Sequence, residues 1–567
     1  MTTAPRRQEP AALDAAVARV KEAAPAWAAA TLRERIDLAR ALLEGTARTA
    51  PEAVRLACQA KGIGLETPAA GEEWMTGPYL TARFLRQFIR SLTLLQRNGS
   101  TPVGRVGETV DGRLSVGVFP ASLQDRALFM GVSAEVHLEE GAGEEELHAT
   151  RARFHREPDH AGKVCLVLGA GNINSIPSTD VFTKLFTEGK CCVLKMNPVN
   201  AYLGPVLEEA FRAAVERGVL AVVYGGGEEG AHLCRHPAVD EIHITGSDRT
   251  HDLIVWGPAG PERAERMARG RPLVDKEVTS ELGNITPVLV VPGPWDDRRL
   301  AFQAEDVAGM VTHNASFNCI AGKLLVTPRG WRLRDRFLGL VAAALERTPA
   351  RPAWYPGAFD RYRALTDGRA EVRRLGPAPE GTLPWTLVPG LDAAADDPAF
   401  TTEPFCALLS ETSVGSEDPV EFLDAAVRFV NGRVWGTLAA TLLVHPATMA
   451  DPATRAAVER AVRALRYGTV TLNVWSGYGF AFGTTPWGAY PGSPLTDIQS
   501  GRGVVHNTLM LERIEKTVLR HPALTFPKPP FFPSHRSAHV VARRLLDVET
   551  GAGWAAVPGV VAAALRG

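Results

Sequence analysis

Between residues 163 and 247 the chain alternates short apolar runs with helix-length amphipathic ones, and this rhythm restricts the fold more than any other feature. KVCLVLGAG, CCVLKM, LAVVYGGG and EIHITGS read as four strands. STDVFTKLFTEG, NAYLGPVLEEAFRAAVERG and EEGAHLCRH read as the helices between them, the second capped by Asn200 and stopped at Gly218. Strands joined through helices at this spacing need crossover connections, which are right-handed and give a buried parallel sheet. A second series starts near residue 279. ITPVLVVPG, KLLVTP, FCALLSET, TLAATLLVH and TVTLNV read as strands, with helices between them. The expected fold class is therefore α/β, with two such units.

The flanks are less regular. Leu13, Val17 and Val20 share one face of a first helix. Thr31 caps a second, with Glu34 as its capping-box partner and a stripe of Leu32, Ile36, Ala39 and Leu43; Gly45 is its expected stop. Residues 51–130 read as helices followed by a loop. Residues 132–158 alternate apolar and charged positions around an acidic, glycine-bearing middle, the pattern of an antiparallel hairpin with one wet face. Residues 350–400 read as a long surface excursion. TLMLERIEKTVL reads as a strand, and the tail 521–567 holds FPKPPFFP and a helix around Val540–Leu546.

Composition excludes several function classes. The 567 residues carry 62 basic and 63 acidic side chains, so no bulk field draws the chain to nucleic acid or an anionic membrane. No apolar run approaches the ~18 residues of a membrane span. The opening MTTAPRRQEPAALDAAV has no apolar core of a secretory signal. The seven cysteines are sparse and form no CxxC pair, which argues against a disulfide framework or a bound metal and for a reducing cytoplasm.

Several residues have the chemistry of a site. Cys319, in HNASFNCIAGK, is either a small buried apolar residue or a nucleophile awaiting activation. Glu281, in KEVTSELGN, is a loop carboxylate or a general base. Lys195 ends a parallel strand, where such sheets bind ligands. Asn172 follows the first strand and could donate to an oxyanion. Gly225, Gly227 and Gly230 spell GxGxxG after the third strand, and TGS at 245–247 offers amides near a helix start. Each has a plain reading as a turn or surface residue.

Their order is more telling. Asn172, Lys195, the glycine turn, TGS, SELGN at 280–284, FNC at 317–319 and EPF at 403–405 follow the sequence of motifs in the NAD(P)-dependent aldehyde dehydrogenase superfamily. The 23 residues from Asn172 to Lys195 and the 38 from Glu281 to Cys319 also resemble that family's spacing. The chain resembles it from about residue 10 to 520. The resemblance implies a Rossmann-like cofactor domain (1–131 and 159–278), an α/β catalytic domain (279–474) and a small oligomerisation sheet (132–158 and 505–520), followed by an extension (521–567) without an assigned role. It implies a homodimer or homotetramer acting on a small aldehyde. It makes Cys319 the nucleophile, Asn172 the oxyanion donor and Glu281 the base that deacylates a thioester. It places Lys195 and Glu403 at the ribose hydroxyls of NAD or NADP, Phe405 beside the nicotinamide, and Gly246 and Ser247 at the pyrophosphate. Gly226, Gly230 and Leu282 belong to the same cofactor site.

The chain departs from the family pattern in places. Gly171 stands where tryptophan is common, ELGNI replaces ELGGK, Pro198 replaces the carboxylate that rejects a 2′-phosphate, and Thr250 replaces a glycine. A CoA-acylating enzyme or acyl-CoA reductase, and a non-catalytic scaffold, are the competing readings. Loops around 120–135, 312–325 and 470–485 are expected to wall the aldehyde pocket, with Phe317, Trp475, Tyr478 and Phe480 either in it or in the core.

Overall fold

A computed structural model describes residues 7–157 and 159–567. Residues 1–6, which open the arginine-bearing N-terminal segment, and Pro158, at the end of the expected hairpin, lie outside the described residues.

The first alternating series forms a six-stranded sheet in the order Gly501–Arg502, Glu277–Glu281, Glu241–Thr245, Val164–Leu168, Cys191–Lys195, Leu220–Val223. All neighbours are parallel except the short Gly501–Arg502 strand. The chain moves outward from Val164–Leu168 to Leu220–Val223 and then crosses back to the other side. That reversal opens a crevice at the carboxyl ends of the strands. Glu277–Glu281, expected at the start of the second unit, is instead a strand of this first sheet, in register with Glu241–Thr245.

The second series forms the centre of an eleven-stranded sheet, with seven parallel strands from Ile514–Arg520 to Trp385–Leu391. Residues 350–400 are not a surface excursion. They contain the helix Ala358–Thr366 and the strands Arg373–Leu375 and Trp385–Leu391, and the last pairs in parallel with Leu408–Val414. Its neighbouring prolines and glycines obscured the apolar run.

The antiparallel end of this sheet also differs from expectation. Only Ser133–Leu138 of the 132–158 segment is a strand; the second arm of the expected hairpin is helical, Glu144–Thr150 and Arg153–Arg156. Glu144, Glu145 and Glu146 fill the first turn, where the helix dipole favours negative charge. The partners of Ser133–Leu138 are Ile514–Arg520 and Leu114–Phe119. Leu114–Phe119 and Val106–Glu108 therefore join the larger sheet, although residues 1–131 read as part of the cofactor unit.

The Thr31–Glu34 capping box forms. Gly45 does not end that helix, which runs Leu32–Lys61 and stops at Gly62, left-handed at φ 66°. A Cβ on Gly45 would lie 1.9 Å from the Ala210 carbonyl oxygen, so the glycine is a contact between helices rather than a terminus. Gly45→Ala is expected to destabilise the fold by about 1–3 kcal/mol through overpacking, read as a lowered Tm. An unchanged Tm would mean that this contact opens freely. Asn200 does not cap its helix either; its amide donates to the Ala170 carbonyl at 2.9 Å.

Candidate active site

A cleft of about 740 Å³ lies where the loop ends of the two sheets face one another. Asn172, Lys195, Gly226, Gly230, Gly246, Ser247, Glu281, Leu282, Cys319, Glu403 and Phe405 all line it. The structure thus brings these residues together on one cleft, whereas Gly225 of the glycine motif does not line it.

Cys319 follows the helix Asp297–Thr312 through a sharp turn. Asn314, Ala315 and Ser316 in that turn are left-handed, with φ of 54°, 54° and 69°. Non-glycine residues pay about 1 kcal/mol or more each for this conformation, so the turn must be held from outside. Asn314 holds it. Its N–H donates to Glu72 Oε2 at 3.0 Å, and its side-chain amide donates to the carbonyls of Asn172 at 3.0 Å and Phe317 at 2.9 Å. Its Oδ1 accepts from Lys61 Nζ at 3.0 Å. Lys61 in turn forms a buried ion pair with Glu73 at 2.8 Å. These residues of the N-terminal helices gave no sign of a site in the sequence.

Asn172 donates through Nδ2 to the Phe317 carbonyl at 3.0 Å, which sets its amide beside the Cys319 turn. Gly171 packs against the loop after the Cys191–Lys195 strand: a Cβ there would lie 2.7 Å from Asn197 Oδ1.

The Cys319 thiol donates to Glu281 Oε1 at 3.6 Å. Glu281 Oε2 is buried without a hydrogen-bond partner. Burial, reinforced by the charge of Asp180, pushes the Glu281 carboxyl up to about 8. Asp180 is fixed beneath it by the Thr245 hydroxyl at 2.8 Å. Cys319 touches open space but is closely ringed by protein. Burial first and the Glu281 charge second push its thiol well above the ordinary cysteine range, while Lys323 pulls the other way. At neutral pH the resting pair is therefore thiol and carboxylic acid, a neutral arrangement in a dry site.

The rest of the cleft is lined by a lysine at a strand end, a glutamate, a phenylalanine and a helix start. Lys195, at its strand end, is 7% exposed, and burial lowers its pKa. Glu403 Oε1 accepts from Lys323 Nζ at 2.7 Å and from the Asn284 N–H at 3.2 Å. Lys323 thus supplies an ammonium near the position where ELGNI lacks its lysine. A Cβ at Gly283 would lie 2.3 Å from Glu403 Oε2, so a larger residue there would displace the Glu403 carboxylate. Phe405, at φ 42°, has its carbonyl held by Arg361 at 3.1 Å and its ring against Tyr355 at 4.9 Å. Ser247 caps the helix Asp248–Val255 by accepting from the Thr250 N–H at 3.2 Å, so this helix start opens on the cleft. The Gly226 N–H donates to Glu229 at 2.7 Å, which settles the glycine turn internally.

A second cavity, of about 450 Å³, reaches Cys319 from the other side; Cys319 and Ile176 line both spaces. Trp475, Tyr478 and Phe480 line it, together with Phe129 and with Thr312, His313, Asn318, Cys319 and Ile320 around the cysteine turn. Phe317 does not. It is 1% exposed and packs against Trp354 and Tyr355 at 5.1 and 5.7 Å. Among the described residues no His, Cys, Asp and Glu cluster could hold a metal ion, and no helix is long and apolar enough to cross a membrane.

Residues 149–356 match the model of the aldehyde dehydrogenase family. Over 128 residues, 22% of the chain, the sequence is 31% identical to a 4-trimethylaminobutyraldehyde dehydrogenase of Oryzias latipes; the match spans about a quarter of that relative's length (23%). The fold is similar to an NADP-dependent glyceraldehyde-3-phosphate dehydrogenase from Bacillus halodurans C-125 complexed with NADP, at a TM-score of 0.60 and 18% identity, over 91% of this chain and 92% of that one. It is also similar to an indole-3-acetaldehyde dehydrogenase complexed with NAD+, at a TM-score of 0.62 and 19% identity, over 91% of this chain and 90% of that one.

Proposed function

We propose that the protein oxidises an aldehyde to a carboxylic acid with NAD or NADP, because residues 149–356 match the aldehyde dehydrogenase family model and the fold is similar to that of such enzymes over about nine-tenths of the chain. The observation that carries this reading is the convergence of Cys319, Glu281 and Asn172 where the two cavities meet.

Cys319 gives up its proton to solvent at the open cleft, and its thiolate sulfur attacks the aldehyde carbon. The thiohemiacetal oxyanion accepts a hydrogen bond from the Asn172 amide, which is released from the Phe317 carbonyl. One such donor is worth about 3–4 kcal/mol of barrier. A bound nicotinamide supplies the acceptor for the departing hydride; Lys195, Glu403 and Phe405 would hold the cofactor beside Cys319. The thioester left on Cys319 is opened by water. Glu281 as carboxylate takes the water proton, hydroxide adds to the carbonyl, and the Cys319 thiolate leaves, giving the acid.

Glu281 is the reason to prefer water over CoA as the group that resolves the thioester. Pro198, three residues after Lys195, brings no carboxylate of its own, while the Glu229 charge acts on Lys195 from the glycine turn, so NAD and NADP are both carried as cofactors. The antiparallel edge ending at Val106–Glu108 would pair copies into a dimer or tetramer, and seven free cysteines suit a reducing cytoplasm. A panel of aldehydes, with NAD and NADP separately and CoA absent, tests the reading by acid formation. A strict need for CoA would replace it with the acylating alternative. Asn172→Ala is expected to lower kcat about 10²–10³-fold. A fall confined to KM would remove Asn172 from the oxyanion site.

A further inference from the structure

The tail beyond residue 520 is built into the body of the protein. Arg83, buried between helices, donates to Glu549 at 2.8 Å and to Asp125 at 2.9 Å. The helix Ala538–Asp547 lies against Ala70–Trp74, where a Cβ on Gly71 would come within 2.7 Å of the Ala538 backbone. The Gln303 amide donates to the Ala523 carbonyl at 2.9 Å.

This clamped tail walls the cavity that reaches Cys319. Phe531, Phe532 and Leu545 line it opposite Trp475 and Tyr478. Phe531 is only partly buried. Its ring lies 5.2 Å from Trp475 and 5.9 Å, edge to face, from Tyr478. A Cβ on Gly309 would lie 2.8 Å from the Phe531 ring, so the ring is backed by the helix that leads to the cysteine turn.

The charged groups near this cavity are neutralised. Glu72 pairs with Arg351 at 3.2 Å. Burial keeps His313 below its ordinary range, and burial pushes Asp306, which acts on Tyr478, up to about 8. His535, also in the lining, is lowered by burial to about 4, so among the described lining residues an ionic group on the substrate would meet no free counter-charge, whereas rings in edge-to-face order accept another ring readily. The volume suits a ring-bearing molecule.

We propose that the segment 521–567 forms part of the aldehyde site and, through Phe531, selects uncharged aldehydes that carry an aromatic ring. The proposal rests on the oxidation assigned above and narrows its substrate. The test compares kcat/KM for phenylacetaldehyde, propanal and 4-trimethylaminobutyraldehyde in the wild type, Phe531→Ala and Phe531→Leu. The exposed Trp554→Ala in the same segment is the control.

Wild type is expected to prefer phenylacetaldehyde. Phe531→Ala should cut the phenylacetaldehyde-to-propanal ratio roughly ten-fold, mostly through KM, with Phe531→Leu intermediate and Trp554→Ala unchanged. An unchanged ratio in Phe531→Ala, or a wild-type preference for the cationic aldehyde, overturns the proposal. A readout independent of turnover is protection of Cys319 from iodoacetamide at pH 9 by phenylacetamide, compared with propionamide, in the full chain. Selective protection that weakens in Phe531→Ala without any aldehyde oxidation keeps the aromatic site and rejects the oxidation. Equal protection by both amides, whatever the turnover, rejects the aromatic site.

Discussion

Cys319→Ala is expected to abolish aldehyde-dependent formation of reduced cofactor, with a loss on the order of 10⁵-fold, the scale seen when a covalent nucleophile is removed. Of the described residues that line both cavities, Ile176 and Cys319, the sulfur alone can form the acyl intermediate. Binding of NAD or NADP should persist, because Gly246, Ser247, Lys195 and Glu403 line the cleft independently of the thiol. Turnover measured by absorbance of the reduced cofactor, with binding followed by calorimetry, separates the two. Substantial turnover in the alanine variant would remove Cys319 as nucleophile. The other six cysteines are buried, so alkylation reports on this thiol selectively. Because burial and Glu281 hold it protonated, alkylation of the cofactor-free protein should accelerate steeply with pH.

Glu281→Gln is expected to separate the two halves of the reaction. Amide in place of carboxyl removes the base that activates water but leaves an oxygen near the thiol. A first turnover of reduced cofactor should then appear as a burst, with steady-state turnover lower by about 10²–10⁴-fold. A normal steady state would assign deacylation to another group. The wild-type pH profile follows from the same residue. A carboxyl raised to about 8 is mostly protonated at neutral pH, so kcat limited by deacylation should climb with pH and level off above about 8.

Stability has the opposite slope. The folded-state pKa lies above the unfolded value of 4.5, so the folded protein binds this proton more tightly. Stability from this group is therefore lost as pH rises from the unfolded value through about 8. Glutamine has no charge to bury. The variant should melt higher than wild type at pH 9, with the gap closing at pH 5. A variant that is less stable at pH 9 would show that the carboxylate is well solvated.

The cleft was legible in the sequence to an unusual degree, because its residues occupy ends of strands and starts of helices that announce themselves by local pattern. Val164–Leu168 and Cys191–Lys195 are apolar runs; the turn after the first presents Asn172, and the second ends on Lys195. Elements without such patterning were misread. The hairpin at 132–158 failed because its acidic middle obeys helix electrostatics, and Gly45 failed because its role is a contact with Ala210 rather than a turn.

Chain order alone determined the two α/β series and the loops that carry Cys319 and Asn172, since crossover handedness and strand-end placement follow from local spacing, whereas the strand that ends at Glu281 was assigned to the wrong unit. Tertiary structure decided how those groups are charged and what surrounds them. Lys61 reaches the Asn172 carbonyl from 111 residues away, Asp180 acts on Glu281, and Phe531 closes a cavity against Trp475. Desolvation and packing depend on which distant segments share a volume, and no local pattern encodes that.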